Sequence, residues 1–285
     1  LRDWFDFKEQ LKQAGRSENT IQEYTRRVRL WYKYLVDHGQ VDIMAATPAD
    51  VLAYRDGLLK AGQAPRTVNF KISTVSVYYD YAVQLGLIDR SPVPKGLYIK
   101  SKMPRHVRLS DDDLRRFEAW IDTLQPNLRA AFWCLYGSGA RVGEVARLRH
   151  SDVFMHKGAV YIRIKGAKWG SDRTVPLMRK KAAAVVMEYK LATTVTNRPL
   201  FQLSKRTIQT YATAFADKTG IPFHCHLLRH TFATRLVEKG IPITKVQHLL
   251  GHKTLTMTYH YTQQANNDMS SIAPTITLKK KEKAS

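Results

Sequence analysis

A chain of 285 residues has room for two ordinary domains, each with a core of its own. Its 44% hydrophobic content suits a globular protein, and no apolar run approaches a membrane span, which argues against a membrane-embedded chain. The formal net charge of +22 argues against a fold that meets no polyanion: such self-repulsion adds nothing to stability, and nucleic acid would relieve it.

The first ninety or so residues read as four helices. Trp4, Phe7 and Leu11 share one stripe. A second helix begins near Ser17 or Asn19, carries Ile21, Tyr24, Val28, Trp31 and Leu35 at spacings of three and four, and ends at Gly39. Thr47-Pro48-Ala49-Asp50 predicts a strong start: a capping hydroxyl, a proline in the first turn and an acid at the positive end of the dipole. That helix carries Val51, Tyr54 and Leu58 and stops at Gly62, and a fourth, with Val68, Ile72, Val75, Tyr79 and Ala82, runs to Gly86. The aromatic residues have the spacing of a buried face, so they are expected in the core rather than as platforms for bases.

Pro92, Pro94 and Pro104 punctuate a basic stretch that reads as a linker over residues 90–106, between a helical domain over 1–89 and a second domain over 107–285. The charge is uneven across it: residues 1–100 hold 15 basic and 11 acidic side chains, residues 101–285 hold 31 and 13. Ser110-Asp111-Asp112-Asp113 caps the first helix of the second domain, and a further helix through Phe132 and Leu135 ends at Gly137-Ser138-Gly139. Val160 to Ile164 alternates as a strand, with Thr174 to Leu177 as its hairpin partner. The text is then helical to about Asn267, and the lysine-rich end reads as a solvated tail. The N-terminal residues carry acids where a secretory signal would be apolar, and Cys134 and Cys225 form no CxxC pair. Reduced thiols in a cytoplasmic protein are expected.

Three places carry reactive side chains. Arg141 follows a glycine turn at a helix start, where backbone N–H groups and a guanidinium can converge on an anion; Glu144, one turn on, can hold the guanidinium or simply pair with it. His226-Leu227-Leu228-Arg229-His230 opens a helix on which the first and fourth residues share a face, an arrangement that suits a phosphodiester. His224-Cys225-His226 also admits a zinc reading, but no second Cys/His pair stands at a finger-like distance. Finally Leu249-Leu250-Gly251-His252 precedes a polar stretch holding Tyr259 and Tyr261; a tyrosine can attack a phosphodiester and keep the bond energy in a covalent phosphotyrosine.

In order, GSGARVGEVARL, an IKGAK…RTVPL hairpin, HLLRHTFATRL and LLGH…Y make the chain resemble the tyrosine recombinase (phage integrase) family over nearly its whole length. The resemblance implies a mainly α fold with a small β-sheet in the C-terminal domain. It implies a two-domain DNA clamp whose N-terminal part is a core-binding (SAM-like) domain. It places Arg141 and Arg229 as the two catalytic arginines, Lys165 as the hairpin lysine, His226 and His252 as the two histidines, and Tyr261 as the nucleophile. The hairpin here is longer than the family's compact form, so Lys168 stands as the alternative to Lys165.

The expected reaction is a pair of transesterifications through a 3′-phosphotyrosyl link, on double-stranded DNA carrying a specific recombination site. A homotetramer on two duplexes is implied, without metal, ATP or other cofactor. The outcome is integration, excision, inversion or resolution. Other classes share parts of this pattern: a type IB topoisomerase shares the chemistry, a non-catalytic DNA-binding protein shares the charge, and a zinc-binding regulator would rest on His224, Cys225 and His226.

Overall fold

The computed structural model describes residues 2–100, 108–166, 170–195 and 197–259 (side chains from Phe7 onward). The chain divides into two compact units, Leu1–Pro104 and Arg105–Ser285.

The first unit is four helices: α1 (Arg2–Gln13), α2 (Glu18–Asp37), α3 (Pro48–Lys60) and α4 (Pro65–Gln84). Their starts follow from the sequence. The Ser17 hydroxyl accepts from the Thr20 amide, and Thr47 with Asp50 forms a reciprocal capping box over the first turn of α3. The aromatic faces turn inward as their spacing requires. Trp31 and Tyr79 are fully buried; the indole N–H donates to the Tyr79 hydroxyl (3.0 Å), which donates in turn to the Ile43 carbonyl (2.7 Å). A buried polar tip is tolerated because it is paired.

The second unit contains α5 (Asp111–Ile121), α6 (Pro126–Ser138), α7 (Val142–Val145), a three-stranded sheet, α8 (Lys180–Leu191), α9 (Lys205–Thr219), α10 (Cys225–Glu238), α11 (Ile243–Leu250) and α12 (Thr256–Tyr259). Ser110 and Asp113 form the capping box of α5. The strands are β1 (Val153–His156), β2 (Ala159–Ile164) and β3 (Arg173–Pro176), antiparallel in the order β1-β2-β3. The hairpin of β2 and β3 stands where the alternation predicts it. β1 has no such signal because only Val153 of its four residues is buried. Register aligns Val153, Ile162 and Val175, all fully buried, into one row on the core face.

Helix α6 is the axis of this core. From Leu128 nearly every side chain is buried, which is why the helix is apolar all round rather than on one stripe. It packs against α8 so closely that a Cβ on Gly137 would lie 2.6 Å from the Ala182 Cβ. Gly139 ends α6 in the left-handed region (φ 64°), and a Cβ there would enter the Phe232 ring of α10. The two glycines thus let α8 and α10 close on the end of α6, which positions the site. Among the described residues no helix is long and apolar enough to cross a membrane.

Candidate active site

Arg229 is the pivot. It sits on a helix buried on most of its circumference and is itself 1% exposed. A guanidinium there must be compensated. Nη1 donates to the Gly139 carbonyl (2.9 Å) and Nη2 to the Leu250 carbonyl (2.7 Å). Gly139 caps the C-terminus of α6 and Leu250 is the last residue of α11, so both acceptors belong to helix ends left with unpaired carbonyls and partial negative charge. One cation therefore ties together two chain segments far apart in sequence. Two residues beyond Gly139 stands Arg141, and two beyond Leu250 stands His252.

Arg141 begins α7 and keeps its side chain about one-third exposed, with Nη1 3.0 Å from Glu144 Oε1. The glycine-turn expectation needs correcting here. The Arg141 backbone N–H is not available to an anion, because it donates to Glu144 Oε2 (2.8 Å), and α7 is only four residues long. The part-exposed guanidinium is left as the group that can face an anion. Glu144 is buried and is also gripped by Arg173 of β3 (Nη2 to Oε2, 2.9 Å). Burial pushes the Glu144 carboxyl up, but Arg173 and Arg141 together hold it below the ordinary range.

Arg173 opens the RTVPL segment, whose sequence alone assigns it no role. It is buried, and besides Glu144 it donates from Nε to the Leu249 carbonyl (2.7 Å) at the end of α11. Gly251 follows at φ 64°, where a Cβ would lie 2.8 Å from the Arg173 Nη1. An arginine at the start of a hairpin strand is a common surface residue; only its burial marks this one.

His252 hydrogen-bonds through Nδ1 to the buried Thr258 hydroxyl (2.9 Å), which fastens the start of α12 to the glycine turn. Burial, followed by the charges of Arg229, Arg141, Arg173 and His226, lowers its pKa from 6.5 to about 3. The imidazole is neutral, so one ring nitrogen donates and the other accepts; Nε2 is the donor in the tautomer that accepts from Thr258 at Nδ1. Arg141, His226 and Arg229 are thus all near enough to His252 to act on it. His226 is exposed at the start of α10, its ring 4.5 Å from that of His230 in an edge-on arrangement.

Lys165 follows the last residue of β2 and is not drawn into that cluster. Its ammonium is 2.8 Å from the buried Asp152 carboxylate. Lys168 and Tyr261 lie outside the described residues; Tyr259, the last one described, is 58% exposed. The metal reading finds no geometry among the described residues: no group of three or more His, Cys, Asp or Glu is gathered to hold an ion. Cys225 is buried against the Ile208 carbonyl (3.9 Å), and burial raises its thiol to about 11.

Residues 107–268 match the model of the phage integrase family, and residues 6–86 match the phage integrase N-terminal SAM-like domain. Tyrosine recombinase XerA of Pyrococcus horikoshii is 29% identical over 268 residues, covering 90% of this chain and 87% of XerA. A lambda integrase dimer bound to a COC′ core site superposes with a TM-score of 0.73 at 23% identity, over 98% of this chain and 80% of the integrase. A lambda integrase tetramer bound to a Holliday junction gives 0.71 at 24% identity, over 90% and 78%.

Proposed function

The chain belongs to the phage integrase family, and from that premise we propose that Arg141, Lys165, His226, Arg229, His252 and Tyr261 carry its reaction. It is a tyrosine recombinase, which cleaves and rejoins DNA strands site-specifically by tyrosine transesterification.

In the proposed step the Tyr261 oxygen attacks the scissile phosphorus, and the bond from phosphorus to the 5′ oxygen breaks. The tyrosine proton passes to His226, and Lys165 supplies a proton to the leaving 5′ oxygen. Arg141 and Arg229 neutralise the non-bridging oxygens as the phosphorane forms, and the Nε2–H of His252 donates beside them. The released 5′ hydroxyl attacks the phosphotyrosine of the partner strand in the reverse sense, restoring tyrosine. The basic side chains neutralise the charge, so no metal is assigned a role. The working unit is a homotetramer holding two duplexes, by analogy with the lambda integrase tetramer on its Holliday junction.

One observation carries this reading. Arg229 bonds to the C-terminal ends of both α6 and α11, two residues before Arg141 and His252, which supports the reading that these side chains serve one phosphate. The test is the identity of the nucleophile. Tyr259 and Tyr261 are two apart and do not share a helical face. Tyr261→Phe is expected to fold, bind DNA and form no covalent adduct, while Tyr259→Phe still traps one on a nicked duplex. An adduct mapped to Tyr259, or one that persists in Tyr261→Phe, overturns the assignment.

A further inference from the structure

Asp152 ends the short 3-10 turn that leads into β1, and Lys165 follows β2 directly. The antiparallel register pairs Val153 with Ile162 and Ile164 with Arg173, so both residues come to the same end of the sheet, beside the strand that carries Arg173. The pairing is asymmetric. The Asp152 side chain is 6% exposed and the Lys165 side chain 55%. One carboxylate oxygen accepts from the Arg149 amide (3.0 Å) and the other faces the ammonium (2.8 Å). A buried carboxylate is costly without a cation, whereas an exposed lysine stem leaves the ammonium able to turn away by bond rotation.

The electrostatics explain why the lysine rests there. Arg229, Arg141, Arg173 and His226 all act on His252, adding to the effect of its burial. That gathering of positive charge repels a further ammonium, and the Asp152 carboxylate attracts it. An entering phosphodiester reverses the local field. We infer that Asp152 is a positioning residue for strand cleavage: it stores Lys165, protonated, beside the sheet and releases it to the leaving 5′ oxygen once a scissile phosphate occupies the site. This rests on the reading of Lys165 as the proton donor. The proton goes from the lysine Nζ to the 5′ oxygen as the phosphorus–oxygen bond breaks, and Asp152 is then left as the paired acceptor of the Arg149 amide.

Single-turnover cleavage of a nicked duplex by the full chain tests it. Asp152→Asn keeps the acceptor for Arg149 and removes the charge that holds the lysine. It should cleave an ordinary duplex about tenfold faster, the kinetic equivalent of one charge-assisted hydrogen bond. On a duplex with a 5′-bridging phosphorothiolate the rate should not change, because a thiolate leaves without a proton. In a Lys165→Ala background Asp152→Asn should have no effect on either substrate. A slower or unchanged rate on the ordinary duplex, an equal change on both substrates, or an effect that persists without Lys165 overturns the storage role. Lys165→Ala itself should be rescued by the phosphorothiolate. If it is not, the reading of Lys165 as the acid fails, and the storage role with it. Should Asp152→Asn lose its cooperative melt, the wild-type chain answers instead. The Lys165 side-chain ammonium resonance should shift when a duplex carrying the cleavage site is added, and an unmoved resonance overturns the proposal.

Discussion

The Arg173 guanidinium reaches both oxygens of the Glu144 carboxylate, Nη2 to Oε2 at 2.9 Å and Nη1 to Oε1 at 3.3 Å, with both side chains buried. Glu144 in turn holds Arg141 from below, so a strand residue fixes a residue at the edge of the site through a shared carboxylate.

That relationship predicts the behaviour of Arg173→Ala. The substitution leaves Glu144 buried with only the part-exposed Arg141 as its cation and removes the donor to the Leu249 carbonyl. Breaking a buried pair from one side costs about 3–5 kcal/mol. Denaturant unfolding should show a loss of that size, and cleavage should fall with it because Arg141 and the end of α11 both lose their brace. A change under about 1 kcal/mol would mean that the pair is not a structural element.

Arg229 needs a gentler probe than alanine. Its two carbonyl acceptors are buried helix ends, and leaving them unsatisfied costs about 1–3 kcal/mol each. Arg229→Lys keeps the charge but lacks the fork that spans both acceptors. Its melting temperature should drop and cleavage should be lost. Duplex affinity should stay within about tenfold, since one phosphate contact among many is removed. Affinity that collapses while the fold survives would make Arg229 a recognition residue.

His252 sets a pH dependence. Its pKa is depressed in the folded chain, from 6.5 to about 3, so between those values the unfolded chain binds the extra proton. Stability must therefore rise with pH across that window and fall as pH drops below 6.5. Melting temperature should decline on mild acidification more steeply for the wild type than for His252→Gln. Parallel profiles would show that the imidazole is not held neutral.

Phosphate contacts should dominate duplex binding, because residues 101–285 hold 31 basic and 13 acidic side chains. The logarithm of affinity is then expected to fall linearly with that of salt, by about 0.9 per phosphate neutralised. A flat titration would remove DNA backbone contact as the main source of affinity.

By itself the sequence determined the helical first unit, with its capped starts at Ser17 and Thr47, because caps and apolar periodicity act within one or two turns. It also brought out Arg141, His226, Arg229 and His252, since their motifs are short and their order along the chain is distinctive. What it left undecided depends on contacts between distant segments. β1 gains its place by pairing with β2, having almost no alternation of its own. Arg173 looks like any basic residue at the start of a hairpin strand until α7 and the end of α11 close around it. The part of Arg229 in holding two helix ends, the depressed pKa of His252 and the resting partner of Lys165 are likewise tertiary facts. Burial and the field of neighbouring charges decide them, and neither exists until segments distant along the chain are packed together.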